Sequence, residues 1–174
     1  MNFFVLLLLL IVVFTFAWAG KSLAPWVPCR KKDIKRVFDL AKIQPGEKFY
    51  ELGCGDGRIV VEASKECEAE AIGLEIAIPL YVAAKIRQFF NRNKNLKIKY
   101  KNLFKEDLSS ADIIYVFGMP DKLKNKLRLK LQEDLKPGAR VISYVFPIAG
   151  WEPIKVDKPT PQDLSIYMYK KTRQ

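Results

Sequence analysis

The run Glu51-Leu52-Gly53-Cys54-Gly55-Asp56-Gly57-Arg58 alternates three glycines with other residues, and Ala71-Ile72-Gly73-Leu74-Glu75 follows it and ends in an acid. Glycines spaced in this way let the backbone take positive φ angles and approach a ligand. The free N–H groups of a helix starting at Arg58 attract an anion such as a carboxylate. An ionised Glu75 can accept hydrogen bonds from both hydroxyls of a ribose. A dinucleotide loop shares these parts, but its G-x-G-x-x-G spacing would put the third glycine at position 58, which is Arg58. Glu51, two residues before the first glycine, would repel a pyrophosphate and suits an ammonium group. Gly53, Gly55 and Gly57, with Glu51 and Glu75, therefore describe a cradle for an adenosyl cofactor with an amino-acid end, S-adenosylmethionine. Asp56 and Arg58 either touch that cofactor or form an ion pair that braces the loop.

Such a cradle needs a strand before the glycines, a helix after them and a second strand ending at the ribose acid. The residue pattern supplies all three: strand Glu47 to Leu52, helix Arg58 to Cys67 and strand Ala69 to Leu74. Alternation continues with helix Pro79 to Asn91, strands Leu96 to Lys101 and Asp112 to Phe117, helix Asp121 to Leu135 and strand Arg140 to Val145. This order predicts an α/β fold with a Rossmann-like, mostly parallel sheet covered on both faces. Phe146 to Gly150 is too short for a crossover helix, so Trp151 to Val156 and Ser165 to Tyr169 should form an antiparallel C-terminal edge. Ahead of the sheet, Asp33 is expected to cap a helix whose Ile34, Val37, Phe38 and Ala41 share one face, ending before Pro45-Gly46.

Composition removes several chemistries. The 174 residues suffice for one domain with a real core, and there are no histidines and only three cysteines. A Ser-His-Asp triad, a Cys-His pair and a His- or Cys-built zinc site are therefore excluded within one chain, and no metal site is expected. Cys29, Cys54 and Cys67 lack redox or metal spacing and read as reduced thiols. The formal charge of +11 points to an anionic partner, either nucleic acid or anionic lipid.

Residues 1–20, enough for roughly 30 Å of helix, carry no charged side chain, and Phe3 to Ala19 is almost wholly apolar. Lys21, Arg30, Lys31, Lys32, Lys35 and Arg36 follow with only Asp33 opposing. The positive-inside bias then predicts a single-pass anchor in the cell (inner) membrane, N-terminus out, with the domain in the cytoplasm. A cleaved secretory signal is the competing reading, because Ala17-Trp18-Ala19 resembles a cleavage site; the absence of Lys or Arg before the apolar run counts against it. The division expected is an anchor over 1–20, a basic lead-in over 21–32 and a cofactor-binding domain over 33–174.

Beyond the glycine loop, several motifs together resemble one family: Pro25-Trp26-Val27-Pro28, Asn102-Leu103-Phe104, Asp107-Leu108-Ser109, Val116-Phe117-Gly118-Met119, Phe146-Pro147 and Gly150-Trp151-Glu152-Pro153. From about Pro25 to Tyr169 the chain is similar to class I S-adenosylmethionine-dependent methyltransferases. Within them it resembles the membrane-anchored protein-lysine methyltransferases whose mitochondrial members modify the ATP synthase c subunit and the adenine nucleotide translocator. Two departures touch the substrate side: Cys29 stands where Ser or Thr is usual, and Ala77-Ile78 where Asn-Pro often follows the ribose acid. Asn-Pro-Pro-Tyr, expected for methylation of adenine or glutamine nitrogen, is absent.

The resemblance implies methyl transfer to an accessible lysine of a membrane-associated protein, with no nucleic acid partner expected. The alternatives are a membrane-borne small molecule, such as a quinone or lipid precursor, and a cofactor-binding assembly module without turnover. It places the adenine edge at Asn102 with the Leu103 backbone, Asp107 being second choice. The substrate channel is expected at Trp26, Pro28, Phe117, Gly118 and Met119, since the loop after the fourth strand opens at the carboxyl edge of the sheet. Trp26 and Phe117 as ordinary core aromatics is the equally weighted reading. Lys122, Lys124, Lys126, Arg128 and Lys130 interleave with leucines as a solvated helix face, with anionic lipid contact the second reading.

Overall fold

The computed structural model describes residues 2–7, 9, 10, 13 and 27–172. Seven strands form one sheet: β1 (Lys48–Leu52), β2 (Glu70–Glu75), β3 (Leu96–Tyr100), β4 (Ile113–Val116), β5 (Arg140–Tyr144), β6 (Lys155–Asp157) and β7 (Ile166–Lys170). Their order is β3-β2-β1-β4-β5-β7-β6. The first five run parallel and β7 pairs antiparallel with both β5 and β6, as the crossover argument required. Helices α1 (Lys31–Ala41), α2 (Arg58–Glu66) and α3 (Ile78–Asn91) precede β4; beyond it, α4 (Pro120–Lys122) and α5 (Arg128–Asp134) are joined by a π-helical turn, Leu123–Leu127. Two apolar layers result. One contains Phe49, Ile59, Val60, Ile113 and Tyr144; the other contains Tyr50, Leu52, Ile114, Leu127 and Leu131.

Three expectations need correction. Asp33 does not cap α1. The helix starts at Lys31 after Arg30, without a side-chain cap, because the Asp33 carboxylate is drawn inward. Fully buried, it accepts from Tyr144 Oη at 2.6 Å and from Arg36 at 2.7 Å. Arg36 also holds the carboxylate of Asp157 and the carbonyls of Asp157 and Leu164, tying α1 to the antiparallel edge. Second, the helix expected from Asp121 to Leu135 is interrupted by the π-turn. Leu123, Leu127 and Leu131 are all fully buried across the interruption. Third, the strand expected from Trp151 shrinks to Lys155–Asp157, and Trp151 instead packs edge-on against Tyr169, ring centroids 6.0 Å apart.

The expected anchor over 1–20 and lead-in residues 21–26, Trp26 included, lie largely outside the described residues. Among the described residues no helix is long and apolar enough to cross a membrane.

Candidate active site

β1 is flanked by β2 and β4, with Leu52 level with Leu74 on one side and Val116 on the other. The glycine loop, Glu75 and the loop after β4 therefore leave the sheet at one carboxyl edge. Gly53, Gly55 and Gly57 all have positive φ, at 78°, 55° and 76°, so side chains there would be strained. Gly73 is needed for a different reason: a Cβ on it would stand 2.9 Å from Cys54 Sγ and from Ile98 Cδ1.

Both acids of the cradle are buried and already bonded. Glu51 Oε2 accepts from Val60 N–H at 2.8 Å, satisfying an early donor of α2. Glu75 Oε2 accepts from Gly55 N–H at 2.8 Å, and its Oε1 from Ile76 and Ala77 N–H at 2.7 Å each. Burial pushes the Glu51 carboxyl well above the usual range, with the Val60 bond opposing and the neighbouring acids Asp56 and Glu75 adding to the rise. Burial likewise raises Glu75 against the pull of its three backbone donors. A cationic ligand beside Glu51 and ribose hydroxyls donating to Glu75 would both favour the ionised forms. A carboxylate offers about four acceptor positions. Three on Glu75 are used by the chain, which leaves one position, on Oε2, for a single hydroxyl and not the two expected from the sequence.

Asp56 and Arg58 form the ion pair of the bracing reading. Arg58 grips the Asp56 carboxylate through Nε and a terminal nitrogen at 3.0 and 2.9 Å, and Arg87 from α3 adds a third contact at 3.0 Å. Burial opposes ionisation of Asp56, yet Arg58 and Arg87 outweigh it and hold its carboxyl below the usual range. Arg58 also donates to the Cys29 carbonyl at 3.3 Å, placing Cys29, and with it Pro28 one residue earlier, beside the glycine loop.

Asn102 and Leu103 follow β3, where Lys101 N–H donates to the Glu75 carbonyl. The Asn102 side chain accepts from Phe104 N–H at 3.0 Å and so caps a short 3-10 turn, while Leu103 is buried. Asp107, exposed, holds its own turn through Ser109 N–H. The loop after β4 brings out Phe117, Gly118 and Met119. Phe117 stacks on Phe146 at 6.4 Å between centroids and meets Tyr144 edge-on at 5.2 Å, and Met119 is exposed. Phe117 is thus half-buried in an aromatic wall level with the cofactor cradle, a position between the two readings given it from sequence.

Sequence reasoning missed three residues here. Tyr115 sits directly opposite Glu51 in the β1–β4 ladder, and its buried hydroxyl has the Cys29 thiol as its nearest side-chain partner. Phe146 completes the aromatic wall; it stood in a motif quoted for the family but was not placed in the channel. Val145, beside it, has φ 73°, which is rare for a β-branched residue and characteristic of strained functional edges. The strand register was the one signal that could have found Tyr115, since it sets Tyr115 and Glu51 on the same face. Among the described residues no cluster of His, Cys, Asp or Glu could hold a metal ion. A surface cavity of about 360 Å³ lined by Arg128, Gln132, Trp151 and Tyr169 shares no residue with this site.

Comparison with known proteins agrees with this geometry. The family profile described as the ANTKMT methyltransferase domain matches residues 51–155. A protein-lysine N-methyltransferase of Saccharolobus islandicus (strain REY15A) is 34% identical over 154 residues, 83% of this chain and 92% of that protein. The adenine nucleotide translocase lysine N-methyltransferase of Mus musculus is 34% identical over 134 residues, 76% of this chain, which spans only 57% of its length. Among solved structures, an RNA methyltransferase from Salinibacter ruber in complex with S-adenosyl-L-homocysteine superposes with a TM-score of 0.80 at 30% identity, covering 85% of this chain and 95% of that one. Positive-φ glycines and two buried acids at one carboxyl edge of the sheet fit an adenosyl ligand such as the S-adenosyl-L-homocysteine of the Salinibacter structure. The chain belongs to the family of the ANTKMT methyltransferase domain and is an S-adenosylmethionine-dependent methyltransferase of the class I fold.

Proposed function

We propose that the protein transfers the methyl group to a lysine side chain of a membrane-associated protein. The observation that carries the reading is the aromatic wall of Phe117, Tyr144 and Phe146 at the same sheet edge as the glycine loop. Methyl transfer is an in-line displacement, so alignment of nucleophile and methyl carbon is the main requirement. Lysine must first lose its proton, which from a pKa near 10.4 costs about 4–5 kcal/mol at neutral pH. A dehydrated aromatic channel next to a sulfonium lowers that cost without a histidine base or a metal. Similarity to protein-lysine methyltransferases over most of the chain supports the choice of acceptor.

In this reading Gly53, Gly55, Gly57 and Glu51 hold the amino-acid end of the cofactor, and Glu75 holds the ribose. Asn102 and Leu103 border the adenine, and Asp56 braces the loop. Trp26, Pro28, Phe117, Gly118 and Met119 border the acceptor. The charge-free run 1–20 followed by the basic lead-in supports a single-pass anchor with the domain in the cytoplasm. A second reading, RNA as acceptor, is favoured by the Salinibacter relative and the +11 charge.

One experiment separates the two readings. Membrane and soluble extracts of a deletion strain are incubated with purified protein and labelled cofactor. A labelled band that survives lipid extraction and ribonuclease and yields methyl-lysine supports the first reading; ribonuclease-sensitive label selects the second.

A further inference from the structure

The helix α3 packs on the sheet through Leu80 and Ala84. Its other side is also apolar: Ile78, Val82, Ile86, Phe89 and Phe90 are all exposed, the two phenylalanines by 72% and 76%. At about 100° per residue the five lie on one arc roughly 120° wide, directed away from the core. A helix facing water on that side would normally carry charged residues there. The two rings meet edge-on with centroids 5.6 Å apart and form the tip of the stripe.

The charge around this stripe is one-sided. From Ile76 to Lys105 the sequence holds eight Lys or Arg and no Asp or Glu. Arg87, Lys97, Lys99 and Lys101 are engaged by carboxylates of neighbouring segments. Lys85, Arg92, Lys94 and Lys105 make no ion pair among the described residues. The segment forms one flank of the domain, because β3 is the edge strand and α3 packs over it.

We infer that the outer face of α3 docks on an anionic membrane surface, with the Ile78–Phe90 stripe inserted among lipid headgroups and the flanking Lys and Arg on acidic lipids. Aliphatic and aromatic side chains on a convex helix with a basic border are the composition of an in-plane amphipathic helix. A nucleic acid is the poorer occupant. Single strands stack their bases on aromatic faces laid along a groove, and Ile78, Val82 and Ile86 offer no such face. Docking also has a geometric consequence for the site. α3 begins three residues after Glu75, so laying its axis in the surface turns the carboxyl edge of the sheet, with Glu75 and Phe117, to face along the membrane. The acceptor mouth then opens along the bilayer plane.

The test uses the full chain in vesicles of phosphatidylcholine, with or without about one third phosphatidylglycerol. A nitroxide is attached through Phe89→Cys in a chain also carrying Cys67→Ser, and in a control through Lys158→Cys on the opposite edge. In anionic vesicles the label at position 89 should become accessible to dissolved oxygen and lose accessibility to a water-soluble nickel chelate, while the label at 158 stays aqueous. Arg92→Glu with Lys94→Glu should reverse the effect at 89, since each basic residue near an acidic surface changes partition about fivefold. The proposal fails if the label at 89 stays aqueous in anionic vesicles or buries equally in neutral ones. Protection that grows with protein concentration in detergent alone assigns the face to a second copy and overturns it, as does protection produced by RNA without lipid. None of these readouts involves methyl transfer, so they stand apart from the identity of the acceptor.

Discussion

Replacing Glu75 by glutamine tests the cradle at the residue on which the loop and the ligand both depend. The carboxylate binds three backbone N–H groups in the protein itself. With Glu75→Gln, the amide oxygen can keep Ile76 and Ala77, but the amide nitrogen then faces Gly55 N–H as donor against donor. A hydrogen bond to a charged acceptor contributes about 1.5–3 kcal/mol. Losing the Gly55 bond and weakening the other two is partly offset by removing a buried charge that burial already disfavours. The net loss in stability should be about 1–2 kcal/mol, a fall of roughly 2–8 °C in midpoint for a chain of this size. Affinity should fall further, because the acceptor position left open on Oε2 becomes an amide nitrogen, which cannot accept from a ribose hydroxyl, and the loop is misplaced. About 2 kcal/mol corresponds to some thirtyfold in Kd. Calorimetry with S-adenosylhomocysteine and thermal unfolding of the same preparations measure both. A Kd within threefold of the parent, or a loss of stability with affinity intact, would refute the role given to Glu75.

Because burial raises both Glu51 and Glu75 above the usual carboxylate range near pH 4.3, the free fold gains from their protonation at low pH and loses that contribution as pH rises through their folded-state values. A ligand that needs both ionised must release protons on binding, so its affinity should climb with pH above that range and then level off; titrations in two buffers of different protonation enthalpy detect the release, and affinity that falls with pH contradicts it. Arg36→Met leaves Asp33 buried without its cation and should cost about 3–5 kcal/mol in denaturant unfolding, with Asp33→Asn in the same chain restoring part of it; a loss under 1 kcal/mol would show the network to be dispensable. Gly73→Ala forces a methyl group against Cys54 and Ile98 and should cost about 1–3 kcal/mol, relieved by adding Cys54→Ala, as unfolding midpoints will show. Burial lifts the Cys29 thiol to about 11 and holds Cys54 well above its usual value, so a thiol reagent at pH 8 should modify half-buried Cys67 first; rapid labelling of Cys29 would place its segment away from Arg58.

Periodicity and glycine chemistry carried most of the fold. The loop from Glu51 to Arg58 and the acid at Glu75 fixed strand, turn and helix locally, and the short stretch from Phe146 to Gly150 left no crossover except an antiparallel return. The misses share one cause: they depend on contacts between distant parts of the chain. Asp33 reads as a cap until Tyr144, over a hundred residues later, claims its carboxylate. Tyr115 joins the site only through its register with Glu51. α3 was legible as a helix, but Ile78, Val82 and Ile86 make as good an inward face as Leu80 and Ala84, and only packing shows which side the sheet covers. The π-turn has no mark in the sequence, since Leu123, Leu127 and Leu131, four residues apart, suit a regular helix face.

The strand order also governs how the chain comes off the ribosome. β1 pairs with β2 soon after it emerges, yet its other neighbour, β4, is completed only at Val116. At about 5–20 residues per second, the free edge of β1 waits several seconds for its partner. Phe49, Tyr50 and Leu52, later sealed at the centre of the sheet, are meanwhile presented on an open β edge, the arrangement most prone to pairing with another chain. Slower translation between residues 52 and 116 should therefore lower the yield of this chain without changing the stability of the finished domain.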